Sequence, residues 1–128
     1  MAASSVTTTL AGQLSTRKDK MSVSSSSGNN VVAVDTTSCN LDQVKINNSA
    51  GTAQVYLRIW DVASGSVSLG TTAPAFILTA GIGETIEYGF TPAPVLDTAL
   101  SAQVTTTSGY AASGSATSWA VTVTFLTH

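Results

Sequence analysis

From residue 31 onward, apolar and polar positions alternate with a period of two, the spacing of a half-buried β-strand. The clearest case lies within 53–61, where Val55, Leu57 and Ile59 share one face and Tyr56, Arg58 and Trp60 the other. Within 41–47, Val44 and Ile46 oppose Lys45; within 84–90, Ile86, Tyr88 and Phe90 share a face; within 118–126, Trp119, Val121, Val123 and Phe125 do so. Shorter apolar runs at 31–34, 75–78 and 100–104 complete the set, giving roughly seven or eight strands at the short, regular spacing of an all-β domain. Between them stand turn formers: Asn47-Asn48-Ser49-Ala50-Gly51, Ser64-Gly65-Ser66, Gly70-Thr71-Thr72-Ala73-Pro74 and Ala80-Gly81-Ile82-Gly83. Pro92 and Pro94 end the strand that precedes them. No segment keeps a 3.6-residue period over two turns. The pattern predicts an all-β fold, an antiparallel β-sandwich of jelly-roll type. Its inward residues are Val44, Ile46, Val55, Leu57, Ile59, Phe76, Leu78, Ile86, Val104, Trp119, Val121, Val123 and Phe125.

The first 30 residues read differently. Val6-Thr7-Thr8-Thr9-Leu10 has the makings of a short strand, Arg17-Lys18-Asp19-Lys20 holds three of the five basic residues, and Ser24-Ser25-Ser26-Ser27-Gly28-Asn29-Asn30 has little to bury. The expectation is an extended, flexible N-terminal arm over 1–30, followed by one sandwich domain over 31–128.

Composition narrows the function classes. Only 9% of the 128 residues are charged, against an average near 25%, whereas Ser and Thr together supply 38 positions. Five Lys and Arg are too few to neutralise the phosphates of a general nucleic-acid partner. After Arg58 there is no Lys or Arg, so the arm is mildly basic and the sandwich acidic. The segment Met1-Ala2-Ala3-Ser4-Ser5-Val6-Thr7 has no basic or apolar signal-peptide region, and no stretch is long and apolar enough for a membrane helix. Neither membrane nor nucleic acid is an expected partner.

Candidate chemistry is sparse. One cysteine, Cys39, excludes an internal disulfide, and one histidine, His128, leaves neither a zinc cluster nor an interior base for a serine or cysteine nucleophile. Glu84 and Glu87, three apart in a strand, point to opposite faces. Gly81-Ile82-Gly83 reads as a turn, with no lysine following it to make a phosphate loop. No catalytic residue, cofactor site or metal site is expected, and the chain reads as a binding or structural protein rather than an enzyme.

The order of these features carries a resemblance. The polar turn Asn47-Asn48-Ser49-Ala50-Gly51-Thr52-Ala53 leads into Val55-Tyr56-Leu57-Arg58-Ile59-Trp60-Asp61. Gly70-Thr71-Thr72-Ala73-Pro74-Ala75-Phe76-Ile77-Leu78 follows, then Ala80-Gly81, the strand within 84–90, Leu100-Ser101-Ala102-Gln103-Val104-Thr105-Thr106 and a Val-rich final strand. This stretch resembles small β-sandwich virion proteins of tailed bacteriophages over about three quarters of the chain, departing from them at Thr91-Pro92-Ala93-Pro94. The resemblance implies a structural virion component: a capsid decoration or cement protein that binds the major capsid protein as a homo-oligomer, with a trimer favoured. The alternative is a tail or fibre-associated adhesion module that binds host glycan through Trp60, Tyr88 or Tyr110. For shell contact the expected residues are Val6, Leu10, Arg17, Lys18 and Lys20 in the arm. Tyr56, Arg58 and Trp60 are expected at a subunit interface, since these residue types concentrate at binding hot spots.

Overall fold

A computed structural model describes residues 17–23 and 30–128. Nine strands are present among them: β1 (Arg17–Val23), β2 (Val32–Asp35), β3 (Cys39–Asn47), β4 (Val55–Trp60), β5 (Phe76–Ala80), β6 (Thr85–Gly89), β7 (Val95–Leu96), β8 (Leu100–Thr105) and β9 (Val121–Thr127). A single 3-10 turn at Ser64–Ser66 is the one helical element among the described residues. The strands form two sheets. The first runs β1-β9-β3-β6, with the short β7 also paired to β3; the second runs β2-β8-β4-β5.

Every pairing is antiparallel, and the pairs are nested: β1 with β9, β2 with β8, β3 with β6 and β7, and β4 with β5. β3 with β9 and β4 with β8 complete the two sheets. The chain therefore behaves as one long hairpin folded over on itself, with consecutive strands mostly crossing from one sheet to the other.

The core lies between the sheets and follows the period-two pattern. Val44 and Ile46 of β3 and Val121, Val123 and Phe125 of β9 face Val55, Leu57 and Ile59 of β4 and Leu100, Ala102 and Val104 of β8, all buried. Phe76, Leu78, Ile86 and Trp119 pack against this cluster, so every residue expected inward lies in the core or on it. Leu41 and Val44 both point inward although three apart, because the register with β9 shifts between Leu41 and Gln43; a bulge there restores the alternation.

One boundary differs from the sequence expectation. Arg17–Val23, placed in the arm, pairs with β9 over seven residues, from Arg17 opposite Thr127 to Val23 opposite Val121. Met21 is buried in the core cluster, and its burial gives the segment a reason to join the sheet. The remainder of the expected arm, 1–16 and 24–29, lies outside the described residues.

The sheet margins carry features that limit further strand pairing. Among the described residues β1 is the edge strand at one side of the first sheet. β5 and β6 end the two sheets on the other side. There the Tyr88 hydroxyl donates to the Thr79 carbonyl and accepts from the Thr79 N–H, occupying edge groups of β5, while the rings of Phe76 and Phe90 meet at 5.9 Å.

Candidate functional sites

The outward sides of the two sheets differ sharply. On the second sheet, alternation should turn Arg58 and Trp60 of β4 and Ser101, Gln103 and Thr105 of β8 to solvent, yet all five are buried. The segments that follow β4 and β8 fold back over this side. Arg58 donates from Nε to the Gly109 carbonyl at 2.9 Å, and from Nη1 to the Ala112 and Ser113 carbonyls at 3.0 and 3.3 Å and to Gln103 Oε1 at 3.0 Å. Gln103 Nε2 also donates to the Ser113 carbonyl, at 2.9 Å. Thr105 Oγ1 accepts from the N–H groups of Thr107 and Ser115 and donates to the Ser115 carbonyl.

This roof of small residues has few apolar side chains of its own, so buried polar groups beneath it hold its shape. Gly114 takes φ +102, and a Cβ there would meet Thr105 Oγ1 at 2.6 Å; only glycine fits so close an approach. The Arg58 pKa is lowered by burial of its guanidinium, and its Nη2 is buried without a hydrogen-bond partner among the described residues.

A second roof segment follows β4 directly. Trp60 Nε1 donates to the Thr72 carbonyl at 3.0 Å and Ser101 Oγ to the Val62 carbonyl at 2.6 Å. The Asp61 carboxylate accepts three backbone N–H bonds, from Asp97, Thr98 and Ala99, at 2.8–3.2 Å.

These positions revise the expected interface. Arg58 is 0% and Trp60 1% exposed; their polar atoms are engaged by their own chain, so neither presents a contact surface. The alternation that put them on one face was right, but loops distant in sequence cover that face. Tyr56 is half-buried beside them. Of the expected arm contacts, Val6 and Leu10 lie outside the described residues, while Arg17, Lys18 and Lys20 occupy β1 opposite Thr127, Leu126 and Thr124.

Among the described residues no segment folds over the outward side of the first sheet in this way. Gln43 and Lys45 of β3, Thr124 and Leu126 of β9 and Glu87 of β6 line a shallow depression of about 200 Å³, and all five are half-buried or exposed. Lys45 is the register partner of both Glu87 and Thr124, and Gln43 of both Leu126 and Gly89. Gly89 leaves one corner open, because a Cβ built there meets nothing within 4 Å. No sequence signal marked this place, since it is assembled from three strands and the absence of a side chain on one of them.

One end of the sandwich is fastened by Asn48, which is 0% exposed. Its Nδ2 donates to the Ala53 and Gly81 carbonyls at 3.0 and 2.9 Å, and its Oδ1 accepts from Trp119 Nε1 at 2.7 Å. Three loops meet there. Beside them Ile82 stands 69% exposed at the tip of the β5–β6 turn, whose Gly81 N–H is held by Glu84 Oε1 at 2.7 Å.

Cys39 and His128 do not form a nucleophile and base. Cys39 is buried, whereas His128 lies on the outer side, its Nδ1 2.7 Å from Asp42 Oδ2 and its Nε2 3.1 Å from Asn40 Nδ2. The imidazole is held by Asn40 and Asp42, which alternate along β3 with the inward Cys39 and Leu41, so thiol and imidazole lie on opposite faces of the sheet. Among the described residues no group of three or more His, Cys, Asp or Glu could hold a metal ion, and no helix is long and apolar enough to cross a membrane. Comparison with protein-family models, with curated proteins and with solved structures finds no match to this chain.

Proposed function

We propose that this protein is a structural component of a bacteriophage virion, a decoration or cement protein that binds the head shell beside the major capsid protein and braces it. The observation that carries the reading is the nested strand pairing, β1·β9, β2·β8, β3·β6 and β4·β5. Such nesting, with eight principal strands in two four-stranded layers, supports a jelly roll, an architecture used by viral capsid domains and lectins. The surface adds to it: a coat rich in Ser and Thr with 9% charge overall can be covered by neighbouring subunits with little desolvation of ions. A homotrimer seated on a repeated shell lattice would gain from multivalent attachment.

The adhesion-module reading is less well supported. Of the aromatics it would use, Trp60 is buried and the Tyr88 hydroxyl is engaged with Thr79, leaving Tyr110 as the exposed ring.

The test is co-sedimentation of the full chain with DNA-free shells assembled from the major capsid protein of the same genome. Saturable, stoichiometric pelleting with the shells is expected; full chain that stays in the supernatant at micromolar concentration overturns the reading. Light scattering of the free protein reads the trimer separately. A truncation probing the segment ahead of the sandwich should remove 1–16 and stop before Arg17, because cutting further takes Met21 out of the core.

A further inference from the structure

We infer that the loop over 106–116 is a lid on a carboxylate-binding site, with the Arg58 guanidinium as the receptor and Gln103 beside it. The guanidinium stands alone in charge: β4, β5, β8 and the segments 62–75 and 106–120 hold no other Asp, Glu, Lys or Arg. Its acceptors are all neutral, the carbonyls of Gly109, Ala112 and Ser113 and Oε1 of Gln103. Nη2 has no acceptor among the described residues, although Arg58 is 0% exposed. A buried ion without a counter-ion loses its hydration and regains only part of it from neutral dipoles. An unmet guanidinium N–H calls for an anionic oxygen, and the closed chain supplies none.

The loop can lift without taking core residues with it. From Ser108 to Ser113, and at Ser115 and Ala116, every residue is exposed, so the loop rests on the sheet through carbonyls and hydroxyls rather than apolar side chains. Gly109 at φ +67 and Gly114 at φ +102 stand at the two ends of the segment that covers Arg58, and glycine absorbs the backbone rotation that a hinge needs. With the segment lifted, Nε, Nη1 and Nη2 of Arg58 present the planar fork that takes both oxygens of a carboxylate. Gln103 Nε2, released from the Ser113 carbonyl, adds a donor. One positive charge matches one carboxylate, whereas a phosphate dianion would bring a second negative charge with no cation to meet it. In the closed state the roof carbonyls occupy the fork. Lid and carboxylate therefore compete for one group, and binding draws on the open fraction.

This inference does not rest on the virion reading, and carboxylate binding is measured on the free protein, so either can fail alone. The probes are acetate and the capped peptide acetyl-Ala-Glu-Ala-amide, with acetyl-Ala-Gln-Ala-amide and inorganic phosphate as controls. Each is titrated at constant ionic strength into the ¹⁵N-labelled full chain, followed at the Arg58 Nε–H and at the amides of Gln103 and 109–114. Acetate should shift these signals saturably in the millimolar range, about fivefold more tightly than phosphate. Tighter binding of the Glu peptide than of acetate assigns the carboxylate to a partner chain, and the reverse order to a small molecule. Arg58→Gln should abolish the shifts. Gly114→Ala is the sharper test: its Cβ would meet Thr105 Oγ1 at 2.6 Å, which loosens the lid and should tighten acetate binding about threefold with Arg58 intact. Thr105→Ala, which removes the hydroxyl bonded to Thr107 and Ser115, serves if Gly114→Ala does not fold. No saturable shift at Arg58, equal shifts from the Gln peptide or phosphate, shifts that survive Arg58→Gln, or binding no tighter with the lid loosened would each overturn the proposal.

Discussion

The guanidinium of Arg58 donates to Oε1 of Gln103 at 3.0 Å, between register partners on β4 and β8 that are both wholly buried on the side of the sheet away from the core. The contact organises a roof that has almost nothing apolar to hold it down. Arg58→Ala would strand the carbonyls of Gly109 and Ala112 and one acceptor of Gln103 and Ser113. The expected loss is about 3 kcal/mol, the scale of leaving buried polar groups unpaired. Urea unfolding reads the loss, and hydrogen exchange reads its place: amides of 106–116 should lose protection while those of β3 and β9 keep theirs. Uniform loss across both sheets would show that the roof is not a separate unit.

Asn48 and Gly51 make a second prediction. A Cβ at Gly51 would run into the Asn48 side chain, which is fixed by three hydrogen bonds to separate loops. Gly51→Ala should therefore cost about 1–3 kcal/mol, as overpacking does. Asn48→Ala should cost a similar amount, about 1–3 kcal/mol, by leaving the Trp119 indole N–H unpaired, and should shift Trp119 fluorescence. A neutral Gly51→Ala would mean that the Asn48 side chain can move aside.

Asp61 gives the acid limb of the stability profile a defined contributor. Partial burial alone would raise its pKa, but the N–H groups of Thr98, Asp97 and Ala99 together outweigh that and hold it below 3.8. A carboxylate depressed in the folded state stabilises above its unfolded pKa, and that stability is lost as pH falls through the folded value. Stability should thus drop as pH falls below about 3.8, because the unfolded chain takes up the proton first. Asp61→Asn should flatten this part of the profile and lower stability at neutral pH by about 1 kcal/mol, a capping-sized effect. Thermal melts between pH 2 and 7 make the comparison.

Tyr88 is expected to guard an edge. Tyr88→Phe removes the hydroxyl that bonds both backbone groups of Thr79 and exposes a site for strand addition on β5. The loss should be about 1 kcal/mol, the net worth of an ordinary hydrogen bond. The sharper readout is concentration-dependent association by light scattering, greater than in the parent chain at equal concentration. Identical association behaviour would show that the edge is closed by other means.

Much of the fold was legible because strand alternation is a local property. Val55, Leu57 and Ile59 point to one side whatever the rest of the chain does, since successive Cβ atoms alternate across a strand, and the turns at 47–51 and 80–83 carry their own backbone signals. The seven residues of β1 were not legible. Only Met21 and Val23 are apolar among them, too few to show a period, and it is pairing with β9 and burial of Met21 that make a strand of them.

The sequence alone thus determined the all-β class, the strand faces and much of the core, through the two-residue period and the polar turns. Only the tertiary structure decided which outward face would meet solvent. Arg58 reads like a surface residue, but carbonyls 51 to 55 residues further along the chain close over it. Lys45 and Glu87 read no differently, yet no loop among the described residues covers them, and a Cβ at Gly89 would meet nothing within 4 Å. Alternation sets a side chain's direction, whereas burial and free polar groups depend on segments far away in sequence, and no local pattern carries that information.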